Sequence, residues 1–194
     1  EHAELAEERD GLLKMLALYP DNKPFLESLR EMNLIPLSIS YEYDPCDYLK
    51  AKEFQQKRDD PEFKKSQRDD LLNMEIGILG RKGNVMFRLG KCINPELDKI
   101  TEPDKRIQAE LAAAIIDKEI HSNYEIYPCN YIAYDQFYKT DRFNDKYTKE
   151  QSDEFNAYLE KQITKIDLDY VDHDYVLDRM LEMYSYTLKN YLEA

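Results

Sequence analysis

Chemistry in this chain would have to start from its histidines, its cysteines and its clustered charges. His173 and Asp178 stand five residues apart, a spacing at which a carboxylate can orient an imidazole to take a proton from a hydroxyl. Both fall inside one amphipathic helical pattern, where five residues turn about 140° around the axis. They point to different faces, and the spacing is read as chance. Asp167, Asp169, Asp172, His173, Asp174 and Asp178 form an acidic run. It lacks the glycine and final glutamate of a calcium loop, and its carboxylates spread around the helix, so it reads as a solvated helix start favoured by the dipole. His121 stands at a helix end, where the dipole favours it. No Gly-x-Ser-x-Gly, P-loop or dinucleotide fingerprint occurs. No catalytic residue and no metal ligand is therefore assigned, and no cofactor is implied.

The charge pattern is more informative. Of 194 residues, 27 are Lys or Arg and 40 are Asp or Glu, a formal charge of −13. Such a chain is repelled by nucleic acid and by anionic lipid, so binding to either needs a local patch. Residues 50–91 hold eleven basic and seven acidic residues, +4 against −17 elsewhere. Arg81 and Lys82 in that stretch are the candidate anion contacts, and the stretch could face phosphate head groups at a membrane surface. The plainer reading is a salt-bridged helical face. Cys46, Cys92 and Cys129 are odd in number and far apart. This disfavours a disulfide framework or zinc site and fits reduced thiols in the cytoplasm. No apolar run approaches the roughly 20 residues of a membrane span, and no signal peptide is visible. Residue 1 is Glu rather than Met, which suggests a fragment or an engineered start.

The elements that must position these groups are mostly helices. Residues 3–18 carry Leu5, Leu12, Leu13, Leu16 and Ala17 near one stripe. A short helix follows with Phe25, Leu26, Leu29 and Met32 inward and Asn33 as its stop. Leu34–Tyr41 is a short apolar run that suits a buried strand led by Pro36. Asp44-Pro45 opens a helix to about Arg58, another is expected over Pro61–Met74, and Asn84–Ile93 alternates as a second strand. After Asn94 the pattern is helical throughout. Thr101–Asp104 opens one helix, Pro128 to about Tyr138 forms a short aromatic one, and Thr148-x-x-Gln151 is a capping box for the next. The last helix carries Val176, Leu177, Met180, Leu181, Tyr184 and Leu188. The inventory is two strands and about seven helices. Two strands joined by a helical crossover need more sheet or a helical cover.

Longer segments carry a resemblance. Leu34-Ile-Pro-Leu-Ser-Ile-Ser-Tyr-Glu-Tyr-Asp-Pro-Cys-Asp-Tyr-Leu-Lys-Ala-Lys-Glu-Phe54, Asp70-Leu-Leu-Asn-Met74, Gly83-Asn-Val-Met-Phe-Arg-Leu-Gly90, Ile120–Tyr124 and Pro128–Asp135 resemble the C-terminal portion of Bacteroidetes-type glycerolipid acyltransferases, of the glycerol-phosphate and lysophosphatidate kind. Pro36 matches the proline of that family's proline-led strand block. The resemblance implies transfer of a fatty acyl group from a thioester to a glycerol-phosphate hydroxyl in phospholipid synthesis. The family's His-x4-Asp and Glu-Gly-x-Arg blocks lie upstream of the proline strand. Here Glu1–Arg9 reads as a helix where the phosphate block would be, so neither block is carried over.

The expectation is thus a helix-rich α/β fold. A small, largely parallel sheet of few strands lies under helices, with an acyltransferase-like segment at 1–94 and a helical extension at 95–194. An acyl thioester and a lysophospholipid would be met through an absent N-terminal half. Peripheral contact at the inner membrane face and a homodimer covering a sheet edge are further expectations. The rival readings are an active enzyme using His173 or His121 in a rebuilt site, and a non-enzymatic interaction module using exposed tyrosines.

Overall fold

The computed structural model describes residues 23–194; the helix expected over 3–18 lies outside them. The described elements run α1 Phe25–Glu31, β1 Leu37–Tyr41, α2 Asp47–Asp59, α3 Gln67–Leu79, β2 Val85–Leu89, α4 Asn94–Leu97, α5 Lys105–Ser122, α6 Pro128–Tyr138, α7 Lys149–Ile163 and α8 His173–Glu193. They divide into two compact units. Among the described residues, one holds residues 23–39 together with Phe87–Tyr124; the other holds Ser40–Met86 and Glu125–Glu193.

The first unit packs α1 and α4 against α5. Leu29, Leu97, Ala109, Ala112 and Ala113 are fully enclosed, with Ile93 beside them. Alanines at 109, 112 and 113 put a flat stripe on α5, so neighbouring backbones can come close. Asn33 ends α1 in the left-handed region at φ 50°. Asn94 then ties that end down, its amide donating to Arg30 O at 2.9 Å and to Asn33 Oδ1 at 3.0 Å.

The second unit is a helical pack of α2, α6, α7 and α8. Phe155, Leu159, Ile132, Val176 and Met180 are its enclosed centre, each side chain contributing about 1.5–3 kcal/mol by burial. Val176, Met180, Tyr184 and Leu188 recur every four residues on α8 and face inward, as an amphipathic helix requires. Gln55 fixes the approach to α8, donating to Tyr170 O at 2.9 Å and accepting from Asp172 N at 3.0 Å. The Thr148 capping box forms as its spacing demands, Gln151 N donating to Thr148 Oγ1 and Thr148 N to Gln151 Oε1.

β1 and β2 pair only with each other among the described residues, and they run antiparallel. Gly90 N donates to Pro36 O at 2.8 Å and Glu42 N to Asn84 O at 2.9 Å, which sets Leu37 opposite Leu89, Ile39 opposite Phe87 and Tyr41 opposite Val85. The expected parallel sheet is therefore corrected. A single helical crossover returns a chain parallel. Here α2 and α3 both intervene, and the chain re-enters beside its exit, where Tyr43 N donates to Lys82 O at 2.9 Å. Burial of β1 is corrected too. Pro36, Ser38 and Ser40 face inward while Ile35, Leu37, Ile39 and Tyr41 face out.

Candidate anion-binding cleft

The cleft lies wholly within the second unit and is built from three helices. Glu154, Ala157, Tyr158 and Lys161 recur at three and four residues along α7, so they share one face; Gln162 and Lys165 extend it. Pro45 and Tyr48 at the start of α2 form a second wall. Ile76, Gly80 and Arg81 at the end of α3 form the third. The enclosed volume is about 520 Å³.

Arg81, Lys161 and Lys165 are its cations. Among the described residues none of the three has a carboxylate within ion-pair distance. The Arg81 guanidinium lies over the Tyr43 ring, 5.6 Å from its centroid, and the Lys165 ammonium lies 5.1 Å from that of Tyr48. Lys165 also donates to Gln162 Oε1. Glu154 is the one carboxylate in the lining.

Four other cations of the basic stretch are held by carboxylates. Lys50 pairs with Asp44 at 2.6 Å, Lys57 with Glu53 at 3.0 Å, Arg58 with Asp59 and Asp172 at 2.7 Å each, and Lys65 with Asp70 at 3.1 Å. Lys82, the other candidate anion contact, donates to Ile78 O at 3.0 Å and Gly80 O at 3.2 Å. It closes the C-terminal end of α3, where a cation is favoured. Arg81 lines the cleft and Lys82 does not.

Behind the cleft lies a polar network that the sequence did not disclose. The Asp47 side chain is fully enclosed. Its Oδ2 accepts from Tyr158 OH at 2.7 Å and Tyr184 OH at 2.8 Å; its Oδ1 accepts from Gln162 Nε2 at 2.7 Å and Tyr48 N at 2.6 Å. Tyr184 OH in turn accepts from Asp44 N at 3.0 Å. Burial raises the Asp47 carboxyl above the usual carboxylate range, outweighing the donors that favour its charge. Burial, and then the Asp47 charge, hold the Tyr158 and Tyr184 phenols well above theirs. Both phenols stay protonated donors, as a satisfied buried carboxylate requires. The network fixes Tyr158 and Gln162, two residues of the lining, against the body of the unit. The lining holds no histidine, cysteine or serine.

The remaining sequence candidates fall elsewhere. Pro36 is buried at the head of β1. His173 Nε2 sits 2.8 Å from Glu160 Oε2, while Asp178 pairs with Arg179 at 2.5 Å, so His173 and Asp178 form no dyad. His121 lies against the Tyr124 ring, centroids 5.3 Å apart. Asp172 is held by Arg58, and among the described residues no group of three potential ligands could hold a metal ion. No helix among them is long and apolar enough to cross a membrane. All three cysteines are free thiols.

Comparison with known proteins gives no matching family profile, no matching curated protein and no matching solved structure.

Proposed function

We propose that this chain is the C-terminal region of a glycerolipid acyltransferase, supplying strands and helical cover to a catalytic half and inactive without it. The reading rests on the resemblance of residues 34–54 and 83–90, and one structural observation carries it furthest. The Ile-Pro-Leu-Ser-Ile segment enters a two-stranded ribbon whose outward face is apolar and bare. Ile35, Leu37, Ile39, Phe87 and Leu89 all lie on that side, Phe87 60% and Leu89 74% exposed. Apolar side chains paired across two strands and left in water are what a sheet presents when further structure is meant to cover it. Acyl transfer itself would come from the covering half, in line with His173 and Asp178 pairing with Glu160 and Arg179 rather than with each other.

The test is transfer from a labelled acyl thioester to glycerol phosphate or lysophosphatidate. It is run with this chain alone, and with a family catalytic half carrying His-x4-Asp fused ahead of residue 1. Transfer by the fusion and none by the chain supports the proposal. A fusion no more active than its catalytic half alone sinks it, as does transfer by the chain alone that His173→Ala or His121→Ala abolishes.

A second reading has its own observation. α3 buries none of its residues and exposes Leu71, Leu72, Met74, Ile78 and Leu79, the last two 72% and 76% exposed. A helix bare on its apolar side favours a protein-binding module. Such a module would show no gain in the fusion assay, and its partner binding would be weakened by Leu71→Glu or Ile78→Glu.

A further inference from the structure

We propose that the cleft lined by Arg81, Lys161 and Lys165 is a binding site for a small phosphate monoester. Three observations converge on it. First, in a chain of formal charge −13, carboxylates are plentiful, and Lys50, Lys57, Arg58 and Lys65 have each found one. Among the described residues the three cleft cations have none within ion-pair distance, and they are gathered in a single lining. Second, Lys161 near the end of α7 and Lys165 in the turn just after it share the same lining, and two like charges brought to one cleft repel each other. A bound dianion removes that cost, and Arg81 opposite them offers the planar fork that matches phosphate oxygens two at a time. Third, the cleft is the right size and make-up. Its volume of about 520 Å³ falls within the roughly 300–1,000 Å³ of small-molecule sites.

The walls narrow the ligand class. Tyr48, Tyr158 and Ile76 give the organic part of the molecule an apolar surface. Glu154 repels long polyanions while accepting a hydrogen bond from a hydroxyl or ammonium beside the phosphate. Gln162 and Tyr158 are held by Asp47, so the lining is organised before a ligand arrives, which lowers the entropy lost on binding. The site is independent of the acyltransferase reading: phosphate binding is expected of this chain alone, with no turnover and no covering half. The phosphate could belong to a free metabolite or to a lipid head group, and the two are separable by experiment.

The experiment is calorimetric titration of the full chain with glycerol 3-phosphate and, in parallel, co-sedimentation with phosphatidylcholine vesicles with and without phosphatidic acid. Arg81→Gln and the double change Lys161→Gln/Lys165→Gln are measured beside Lys82→Gln. The cleft cations are exposed and carry no core packing, and thermal melting checks that each variant remains folded. Saturable binding of glycerol 3-phosphate, weakened about tenfold or more by Arg81→Gln and by the lysine pair but unchanged by Lys82→Gln, supports the proposal with a free phosphate as the ligand. Retention on phosphatidic-acid vesicles alone, lost in the same two variants, supports it with the lipid head group as the source. No binding in either arm overturns it, as does binding that the cleft substitutions leave intact or that Lys82→Gln weakens equally. Acyl transfer can fail in every form without touching these results.

Discussion

Tyr158 donates its phenolic hydrogen to the enclosed Oδ2 of Asp47 at 2.7 Å, and the same residue lines the basic cleft. One hydrogen bond therefore links the inside of the helical unit to its recognition surface. Asp47 binds four donors from α2, α7 and α8, so these three helices share one acceptor. This makes the carboxylate a structural hub whose loss strands the buried Tyr184 and Gln162 donors.

Asp47→Ala is expected to lower the unfolding free energy by about 3 kcal/mol, because the buried Tyr184 and Gln162 donors and the half-buried Tyr158 hydroxyl lose their acceptor at roughly 1–3 kcal/mol each, less than additively. The two tyrosines should rank differently. Tyr184→Phe removes a donor to Asp47 and also the acceptor of Asp44 N, whereas after Tyr158→Phe the Gln162 amide keeps Asp47 as partner. Denaturant unfolding should show Tyr184→Phe as the costlier change. The reverse order would mean that the Asp44 contact carries little.

Gly83 separates the end of α3 from β2 and has φ +65°. A Cβ there would stand 2.5 Å from Glu42 Oε2 and 2.8 Å from Tyr43 Cδ2. It would also disturb the carboxylate that accepts from Asn84 N and Nδ2 at 2.9 Å each. Gly83→Ala should cost about 1–3 kcal/mol in unfolding free energy. Gly77→Ala is the opposite case. Its Cβ meets only Cys46 Sγ at an ordinary 3.6 Å within α3, and a gain of about 0.5–1 kcal/mol is expected. Midpoints of chemical denaturation at unchanged slope test the pair.

Local features of the fold were legible and long-range ones were not. The stop at Asn33 and the capping box at Thr148 are written in adjacent residues, and both occur as read. The expected start of α3 at Pro61 is too early, since the helix begins at Gln67. Pro61 suggested it, while Ser66 caps the helix through a reciprocal bond with Asp69, a pairing present in the sequence as Ser-x-x-Asp. β1 misled because its apolar residues suggested a buried strand. Its small Ser38 and Ser40 face inward instead, Ser40 Oγ accepting from Glu125 N at 2.9 Å, a partner 85 residues away. The cleft was half visible. Arg81 stands in a basic stretch, but Lys161 and Lys165 lie about 80 residues further on, at the end of α7 and in the turn after it, and only the fold brings them together. Asp47 stands in the first turn of α2, where an acid is ordinary, and nothing near it in sequence discloses Tyr158, Gln162 and Tyr184.

The thiols should differ sharply in reactivity. Cys129 is buried with its Sγ donating to Glu42 O at 3.0 Å, and burial pushes its pKa up to about 12. The thiolate is the reactive form, so Cys129 should remain unmodified in the native chain and react only on unfolding. Cys92 is partly exposed and should react first. Mass mapping after a short exposure to a thiol reagent decides this, and early labelling of Cys129 would show that the α6 contact with Glu42 opens readily.

His173 gives a pH response whose sign follows from its partner. The Glu160 carboxylate, bonded to Nε2 at 2.8 Å, raises the imidazole above its ordinary 6.5, with Asp174 adding to the effect. A cationic group whose folded value is raised stabilises the fold fully below its unfolded value and loses that contribution as pH rises through the folded value. The stability difference between the native chain and Glu160→Gln should therefore be present near pH 6 and fade towards pH 8. In parallel, the His173 ring resonances should titrate above 6.5 in the native chain and move back towards that value in Glu160→Gln. A His173 that titrates at the same pH in both proteins would show that the Glu160 contact does not persist in solution. A stability difference that grows with pH would mean that Glu160 acts through something other than this imidazolium.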